Sequence, residues 1–257
     1  MSKIAVLTAY DFNTARALVE AEIDMLLVGD SLAMVALGHK TTREVTLEEM
    51  LMCTAAVKRG AGDSSVEIVA DFPYVCTQKA QAEQIEDCRK FVEAGATIIK
   101  IENADDDTLD LLQELEKQGI KTMGHIGYTP QDIEKFQGSK IVRDEKLLIG
   151  ETYKLIASGV AYIVLEMVPQ EIAAKVTELA EQHGVKTIGI GAGAQCSGQV
   201  LVTDDMLGRY NLINPKFLRR FANQYDEAVE AAKAYKQAVV EEDFPSLTES
   251  FVAEAVL

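Results

Sequence analysis

Short apolar segments alternate with longer amphipathic segments along most of the chain. The short segments are rich in β-branched residues, as is typical of buried strands, and the long ones carry apolar residues at helical spacing. The short segments cover residues 4–7, 25–28, 66–70, 97–101, 121–124, 162–165, 186–190 and, less clearly, 200–203. The long segments cover residues 47–59, 78–94, 108–118, 144–157 and 170–183. The pattern therefore predicts strands alternating with helices.

Glycines mark the ends of several predicted helices. Gly95, Gly119, Gly159 and Gly184 each precede the next apolar segment by one or a few residues, a position that favours a helix stop and a short connection. Seven such strands and a weaker eighth, with no linker between them, favour a closed (β/α)8 TIM barrel over an open doubly wound sheet. We predict one barrel domain over residues 1–257, in which residues 215–257 form a helical C-terminal extension with a helix over 216–240.

Polar side chains stand where the predicted strands end. They are Asp30 and Ser31 after the second strand, Asp71 after the third, Lys100 and Glu102 at the fourth, His125 after the fifth, and Glu166 after the sixth. In a barrel these positions meet at the carboxyl ends of the strands, the face that carries the chemistry in TIM-barrel enzymes. Strand alternation also places Lys100 and Glu102 on the same side.

Each of these residues has a plain structural interpretation when it is taken alone. Asp30 could belong to a turn, Lys100 and Glu102 could form a surface ion pair, and Glu166 could cap the helix that begins near Pro169. Five consecutive strand ends with such residues favour an active site. Several carboxylates buried near one another also require a compensating cation.

The residue types indicate which cation and which chemistry. Three carboxylates without Cys or His at metal-ligand spacing suit Mg²⁺ better than zinc. A 2-oxo acid can bind Mg²⁺ through its carboxylate and ketone, which favours formation of an enolate. Lys100 could then neutralise the substrate carboxylate, and Glu166 could move the α-proton.

Composition excludes several other classes of protein. The chain has 41 Asp and Glu against 25 Lys and Arg, a formal charge of −16, so phosphate backbones and anionic membranes would repel it. We expect neither nucleic acid nor membrane as a partner. The N-terminal residues show no secretory pattern, and the four cysteines contain no CxxC pair. We expect reduced thiols and a cytoplasmic protein.

Eight segments, in chain order, closely resemble the ketopantoate hydroxymethyltransferase family. They are residues 7–12, 28–32, 45–47, 70–73, 99–102, 124–131, 164–169 and 188–193. The resemblance implies a barrel of the phosphoenolpyruvate/pyruvate superfamily, assembled as a homo-oligomer, in this family typically a decamer. It implies transfer of a hydroxymethyl group from 5,10-methylenetetrahydrofolate to 3-methyl-2-oxobutanoate, giving 2-dehydropantoate for pantothenate and coenzyme A synthesis, through a Mg²⁺-stabilised enolate.

The resemblance also implies roles for the strand-end residues. Those that would hold Mg²⁺ are Asp30, Asp71 and Glu102; those that would bind the substrate are Asp30, Ser31, Asp71, Lys100 and His125; and Glu166 would be the catalytic base. The sequence departs from the family pattern in loops, where Arg43-Glu44 replaces Leu-Pro and Asn103-Ala104 replaces two glycines. A different Mg²⁺-dependent 2-oxo acid lyase or aldolase of the same superfamily and a non-catalytic oligomeric homologue are the alternatives.

Overall fold

Eight parallel strands close into a barrel in the computed structural model, which describes residues 3–136 and 140–251. The strands β1 to β8 are Ile4–Thr8, Met25–Val28, Glu67–Asp71, Ile98–Glu102, Thr122–Gly127, Tyr162–Glu166, Lys186–Ile190 and Gly198–Leu201. Each strand pairs in parallel with the next, and β8 pairs with β1. The predicted (β/α)8 barrel is therefore confirmed.

Helices connect the strands, as is usual for parallel crossovers, except between β7 and β8, where residues 191–197 form a loop. The helices α1 to α10 are Phe12–Glu20, Leu32–Val35, Leu47–Ala61, Tyr74–Thr77, Gln81–Ala94, Asp106–Lys117, Glu145–Ala157, Gln170–Gln182, Thr203–Met206 and Gln224–Val240. Short 3-10 helices cover Thr42–Glu44, Pro130–Lys135 and Leu247–Glu249. Among the described residues, no helix has both the length and the apolar character needed to cross a bilayer.

The hydrophobic core has two layers on either side of the barrel wall. Inside the barrel lie Val6, Met25, Leu27, Val69, Ile98, Met123, Val164, Ile188 and Val200. The second layer lies between the barrel and its helices and includes Phe91 and Leu112, both fully buried. Inward residues thus fill the middle of the barrel and leave its ends for polar groups.

Two compact units divide the chain, Met1–Thr203 and Asp204–Leu257. The first contains the barrel, and the second contains α10. The organisation as one domain over residues 1–257 with a helical extension from residue 215 stays a prediction.

The eighth strand and the last helix differ from their predicted bounds. β8 covers Gly198–Leu201 rather than residues 200–203. Thr203 begins α9 instead, and its backbone N–H donates to Oγ1 of Thr8. The last helix begins at Gln224, not at residue 216. The backbone N–H groups of Phe221 and Gln224 donate to carbonyls of residues 206 and 207, so the segment before α10 is not helical.

Candidate active site

The register of the barrel places the predicted site residues side by side. Asp71 on β3 pairs with Lys100 on β4, and Glu102 at the end of β4 pairs with His125 on β5. Glu166 ends β6 and lies opposite Gly127 on β5. Because all the strands are parallel, these side chains gather at one mouth of the barrel.

Asp30, Asp71 and Lys100 form the first half of the site. The backbone N–H of Asp30 donates to Oδ2 of Asp71 at 3.0 Å. Lys100 Nζ lies 3.1 Å from the other oxygen of Asp71, Oδ1, which accepts no well-directed hydrogen bond. All three residues are buried, so the ion pair is shielded from water and the strand-end prediction of proximity is met.

Glu102, His125 and Glu166 form the second half. Nδ1 of His125 lies 3.3 Å from Oε1 of Glu102 and 3.4 Å from Nζ of Lys100. On the other side of the ring, Nε2 lies 3.4 Å from Oε2 of Glu166, in an ion pair without a well-directed hydrogen bond. The Glu166 side chain is 17% exposed against 3% for His125. Glu166 is thus the carboxylate of this half that a ligand at the barrel mouth can reach.

Burial and neighbouring charges shift the pKa values of Asp30, Asp71 and Lys100. Burial, together with the charges of Asp71 and Glu102, raises the pKa of Asp30 well above its ordinary value. Burial also raises the pKa of Asp71, although Lys100 opposes the shift. Burial alone would lower the pKa of Lys100, but the surrounding carboxylates raise it, so Lys100 is a permanent cation.

In the second half of the site, the neighbouring charges outweigh burial in setting the pKa values. Burial alone would raise the pKa of Glu102, but His125 and Lys100 lower it below its ordinary value. Burial and the Lys100 charge act to lower the pKa of His125, and its contacts with Glu102 and Glu166 overcome them and raise it to about 9. His125 is therefore an imidazolium at neutral pH.

The charges leave room for a divalent cation. Four carboxyl groups, on Asp30, Asp71, Glu102 and Glu166, face two cations, on Lys100 and His125, so full ionisation leaves 4 − 2 = 2 negative charges uncompensated. The raised pKa of Asp30, to which the charges of Asp71 and Glu102 contribute, shows where that excess lies. Oxygen ligands of this kind fit Mg²⁺. Across residues 3–136 and 140–251, no three acidic, His or Cys side chains already surround one point as a complete ligand set.

Two neutral residues that the strand-end argument missed contact the site. The phenol of Tyr10 lies 2.8 Å from Oγ of Ser31, which stands directly before α2. Gln131 Nε2 donates to Oδ2 of Asp30 at 2.8 Å. Both residues lie within the segments that carry the family resemblance. That argument missed them because it followed charge at strand ends, and neither residue is charged.

Backbone conformation shapes the loop side of the site. Asn103, directly after Glu102, has φ +77°, a conformation that Asn tolerates better than most residues. Its N–H donates to the carbonyl of His125, which continues the β4–β5 contact by one residue. Gly127 has φ +94°, and a Cβ there would stand 2.3 Å from the carbonyl oxygen of Glu166. Only glycine allows β5 to approach the end of β6 so closely.

Comparison with protein families and curated proteins gives a consistent result. The model of the family described as ketopantoate hydroxymethyltransferase matches residues 1–247. A protein of Leptospira interrogans named 3-methyl-2-oxobutanoate hydroxymethyltransferase is 42% identical to this chain over 254 residues. That alignment covers 97% of this chain and 94% of the relative.

Solved structures show the same fold at low sequence identity. The structure of 2,3-dimethylmalate lyase, a PEP mutase/isocitrate lyase superfamily member, has a TM-score of 0.61 and 14% identity and covers 98% of this chain and 87% of its own. A phosphonopyruvate hydrolase in complex with oxalate and Mg²⁺ has a TM-score of 0.60 and 9% identity, with coverage of 96% and 88%. At this identity the likeness shows the barrel fold alone.

Proposed function

The chain belongs to the ketopantoate hydroxymethyltransferase family and is a transferase, and from this we propose that it transfers a hydroxymethyl group to 3-methyl-2-oxobutanoate. The donor is 5,10-methylenetetrahydrofolate and the product is 2-dehydropantoate, for pantothenate and coenzyme A synthesis. One observation in the structure supports the proposal most directly. Four carboxyl groups surround the Lys100 ammonium and the His125 imidazolium at the barrel mouth, an arrangement suited to a metal ion and an anionic substrate.

Asp30, Asp71 and Glu102 would hold Mg²⁺. The charge balance supports this assignment, because a divalent ion supplies the two positive charges that the cluster lacks. When bound, Mg²⁺ polarises the substrate ketone and makes the neighbouring C–H group more acidic.

Lys100 and Ser31 would position the oxo acid, with Asp30, Asp71 and His125 around it. The Lys100 ammonium is buried and permanently charged, so it can pair with the substrate carboxylate in a site that water barely reaches. The Ser31 hydroxyl, held by Tyr10, offers a second polar contact. These cationic and neutral groups explain how a chain with a formal charge of −16 can bind an anion.

Glu166 would act as the base. Its carboxylate is the more exposed one of the second half, and its Oε2 lies 3.4 Å from Nε2 of His125. Glu166 takes the proton from the carbon next to the ketone, and that carbon forms the new bond to the one-carbon unit. Over the whole reaction both C–N bonds of the folate methylene group break, water supplies the oxygen of the hydroxymethyl group, and the proton taken by Glu166 and one proton of the water end on the two nitrogens of the departing tetrahydrofolate.

An assay of the purified chain with 3-methyl-2-oxobutanoate, 5,10-methylenetetrahydrofolate and Mg²⁺ tests the proposal. We expect 2-dehydropantoate by mass spectrometry, loss of turnover in excess chelator, and a decrease of about 10²–10⁴-fold in Glu166→Gln, as is typical for removal of a general base. Glu171→Gln, an exposed change on α8, is the control and should keep full activity.

The assay also separates the alternatives. Cleavage of the oxo acid without a folate requirement would favour a lyase of the same superfamily. Binding of Mg²⁺ and oxo acid with no product would favour a non-catalytic homologue. Full turnover of Glu166→Gln would refute the role given to Glu166.

Assembly and location are proposed from the family resemblance and from the state of the cysteines. The family resemblance supports a homo-oligomer, a decamer, which light scattering of the purified chain would measure. The four cysteines are all free and buried, and this agrees with the reducing cytoplasm that we propose as the location.

A further inference from the structure

Gln131 makes more polar contacts with the carboxylate site than its neutral side chain indicates. It is the second residue of the Pro130–Lys135 helix that follows β5, and it is only 4% exposed. Its Nε2 donates to Oδ2 of Asp30 at 2.8 Å and to the backbone carbonyl of Phe72 at 3.0 Å. Two acceptors on the same side fix which end of the amide is nitrogen.

The backbone of Gln131 contacts the site as well. Its N–H donates to Oε2 of Glu102 at 3.0 Å. One residue thus holds the carboxylates of Asp30 and Glu102 and the carbonyl directly after Asp71. These three points belong to the ends of β2, β3 and β4, so Gln131 links the three strand ends that carry the proposed metal ligands.

The two hydrogen bonds of the Gln131 amide restrict the orientation of the Asp30 carboxylate. One hydrogen occupies Oδ2 of Asp30, and the other is anchored on the rigid backbone at Phe72. The Asp30 carboxylate therefore cannot leave this orientation without losing a buried hydrogen bond. Gln131 contacts Oδ2 and not Oδ1 of this carboxylate.

We infer that Gln131 is a positioning residue, whose side chain holds Asp30 in place for Mg²⁺. This inference rests on the proposed function, because it takes Asp30 as a metal ligand. Groups that hold metal ligands in this way commonly change metal affinity by about 10–100-fold when they are removed.

Calorimetric titration of Mg²⁺ into the full chain, without substrate, tests the inference. Gln131→Met keeps about the same side-chain length, removes both hydrogen bonds of the side-chain amide and leaves the backbone N–H that donates to Glu102 in place. We expect its dissociation constant for Mg²⁺ to rise about 10–100-fold. The matched control is Thr152→Val, which removes a buried hydrogen bond to Leu148 inside α7, and it should bind Mg²⁺ as the unchanged chain does.

A second measurement separates positioning from a general loss of structure. Turnover of Gln131→Met should recover as Mg²⁺ is raised about 100-fold, since the defect lies in metal binding, whereas a misfolded site would not recover. If Gln131→Met does not fold, Gln131→Asn replaces it with the same expectation, because the shortened amide cannot reach both acceptors. Equal Mg²⁺ affinity in the unchanged and variant chains overturns the inference alone. An unchanged chain that binds no Mg²⁺ overturns the proposed metal site and the inference together.

Discussion

The backbone N–H of Asp30 donates a hydrogen bond to Oδ2 of Asp71 at 3.0 Å. This bond attaches the turn after β2 to the end of β3 and fixes the orientation of the Asp71 carboxylate. The second oxygen of Asp71 is thereby directed toward Lys100, 3.1 Å away. The position of one proposed metal ligand thus depends on the backbone of the other.

Asp71→Asn should abolish tight Mg²⁺ binding. The Asn side chain must present its oxygen to the N–H of Asp30, so its NH₂ group would face the Lys100 ammonium and repel it. We expect Mg²⁺ affinity to fall by about 100-fold or more, measured by calorimetry. Asp107→Asn, an exposed change in the first turn of α6, serves as the control. Equal affinity in both variants would show that Asp71 is not a ligand.

Lys100→Met should weaken both the fold and substrate binding. The change leaves the buried carboxylates of Asp71 and Asp30 without their main cation, and loss of one partner of a buried ion pair costs about 3–5 kcal/mol. Urea unfolding measures that loss, and the KM for the oxo acid should rise about 100-fold. Lys121→Met removes an exposed lysine paired with Glu67 at the opposite end of the barrel and should cost less than about 1 kcal/mol. A similar cost for both lysines would contradict the burial argument.

Gly60→Ala should destabilise the chain although alanine is the better helix former. A Cβ at Gly60 would stand 2.4 Å from the carbonyl oxygen of Phe12 and 2.7 Å from Cβ of Ala15, where α3 packs on α1. We expect a loss of about 1–3 kcal/mol from overpacking. At Gly150 on α7 a Cβ meets nothing within 4 Å, so Gly150→Ala should stabilise by about 1 kcal/mol. Thermal unfolding of the two variants should therefore shift in opposite directions.

Asp87 should make stability depend on pH in the acid range. Burial alone would raise the pKa of Asp87, but hydrogen bonds from Lys79, Lys90 and the Cys76 thiol lower it below its ordinary value. The unfolded chain then binds the proton more readily, so the contribution is complete above the ordinary Asp pKa and is lost as pH falls through the lowered one. Asp87→Asn should cost about 1–3 kcal/mol at pH 7.

The cost of Asp87→Asn should shrink as the pH of urea unfolding is lowered below about 4. The matched control is Glu86→Gln, one residue earlier on α5, where the side chain is 58% exposed in a surface pair with Arg89. The effect of Glu86→Gln on the free energy of unfolding should be small and should change little over the same pH range. If the cost of Asp87→Asn stays constant with pH, the pKa of Asp87 is not lowered in the folded chain, and the argument from the lysine contacts is wrong.

The sequence predicted the barrel and the meeting of the strand ends because both follow from local patterns. Buried parallel strands are apolar almost throughout, so Asp71, Lys100 and Glu102 stand out at their ends. The period of a strand then places Lys100 and Glu102 on one side, and the structure has both at the barrel mouth.

Other features depend on contacts that no local pattern records. β8 begins at Gly198, where a Cβ would stand 2.5 Å from the carbonyl oxygen of Ile4, so a residue that usually interrupts a strand here allows close approach to β1. Residues 216–223 have a helical pattern, but part of their backbone bonds to residue 206. Gln131 becomes informative only when the structure shows Asp30 beside it.

The pairing of Asp71 with Lys100 and of Glu102 with His125 has an evolutionary meaning. These neighbours are set by the backbone hydrogen bonds that close the barrel, so an insertion within β3, β4 or β5 would separate the charges and open the sheet together. Insertions farther out in the loops beyond those strands leave this strand pairing intact. Loop changes can therefore alter what the mouth of the barrel accepts while the backbone pairing keeps these charged side chains together.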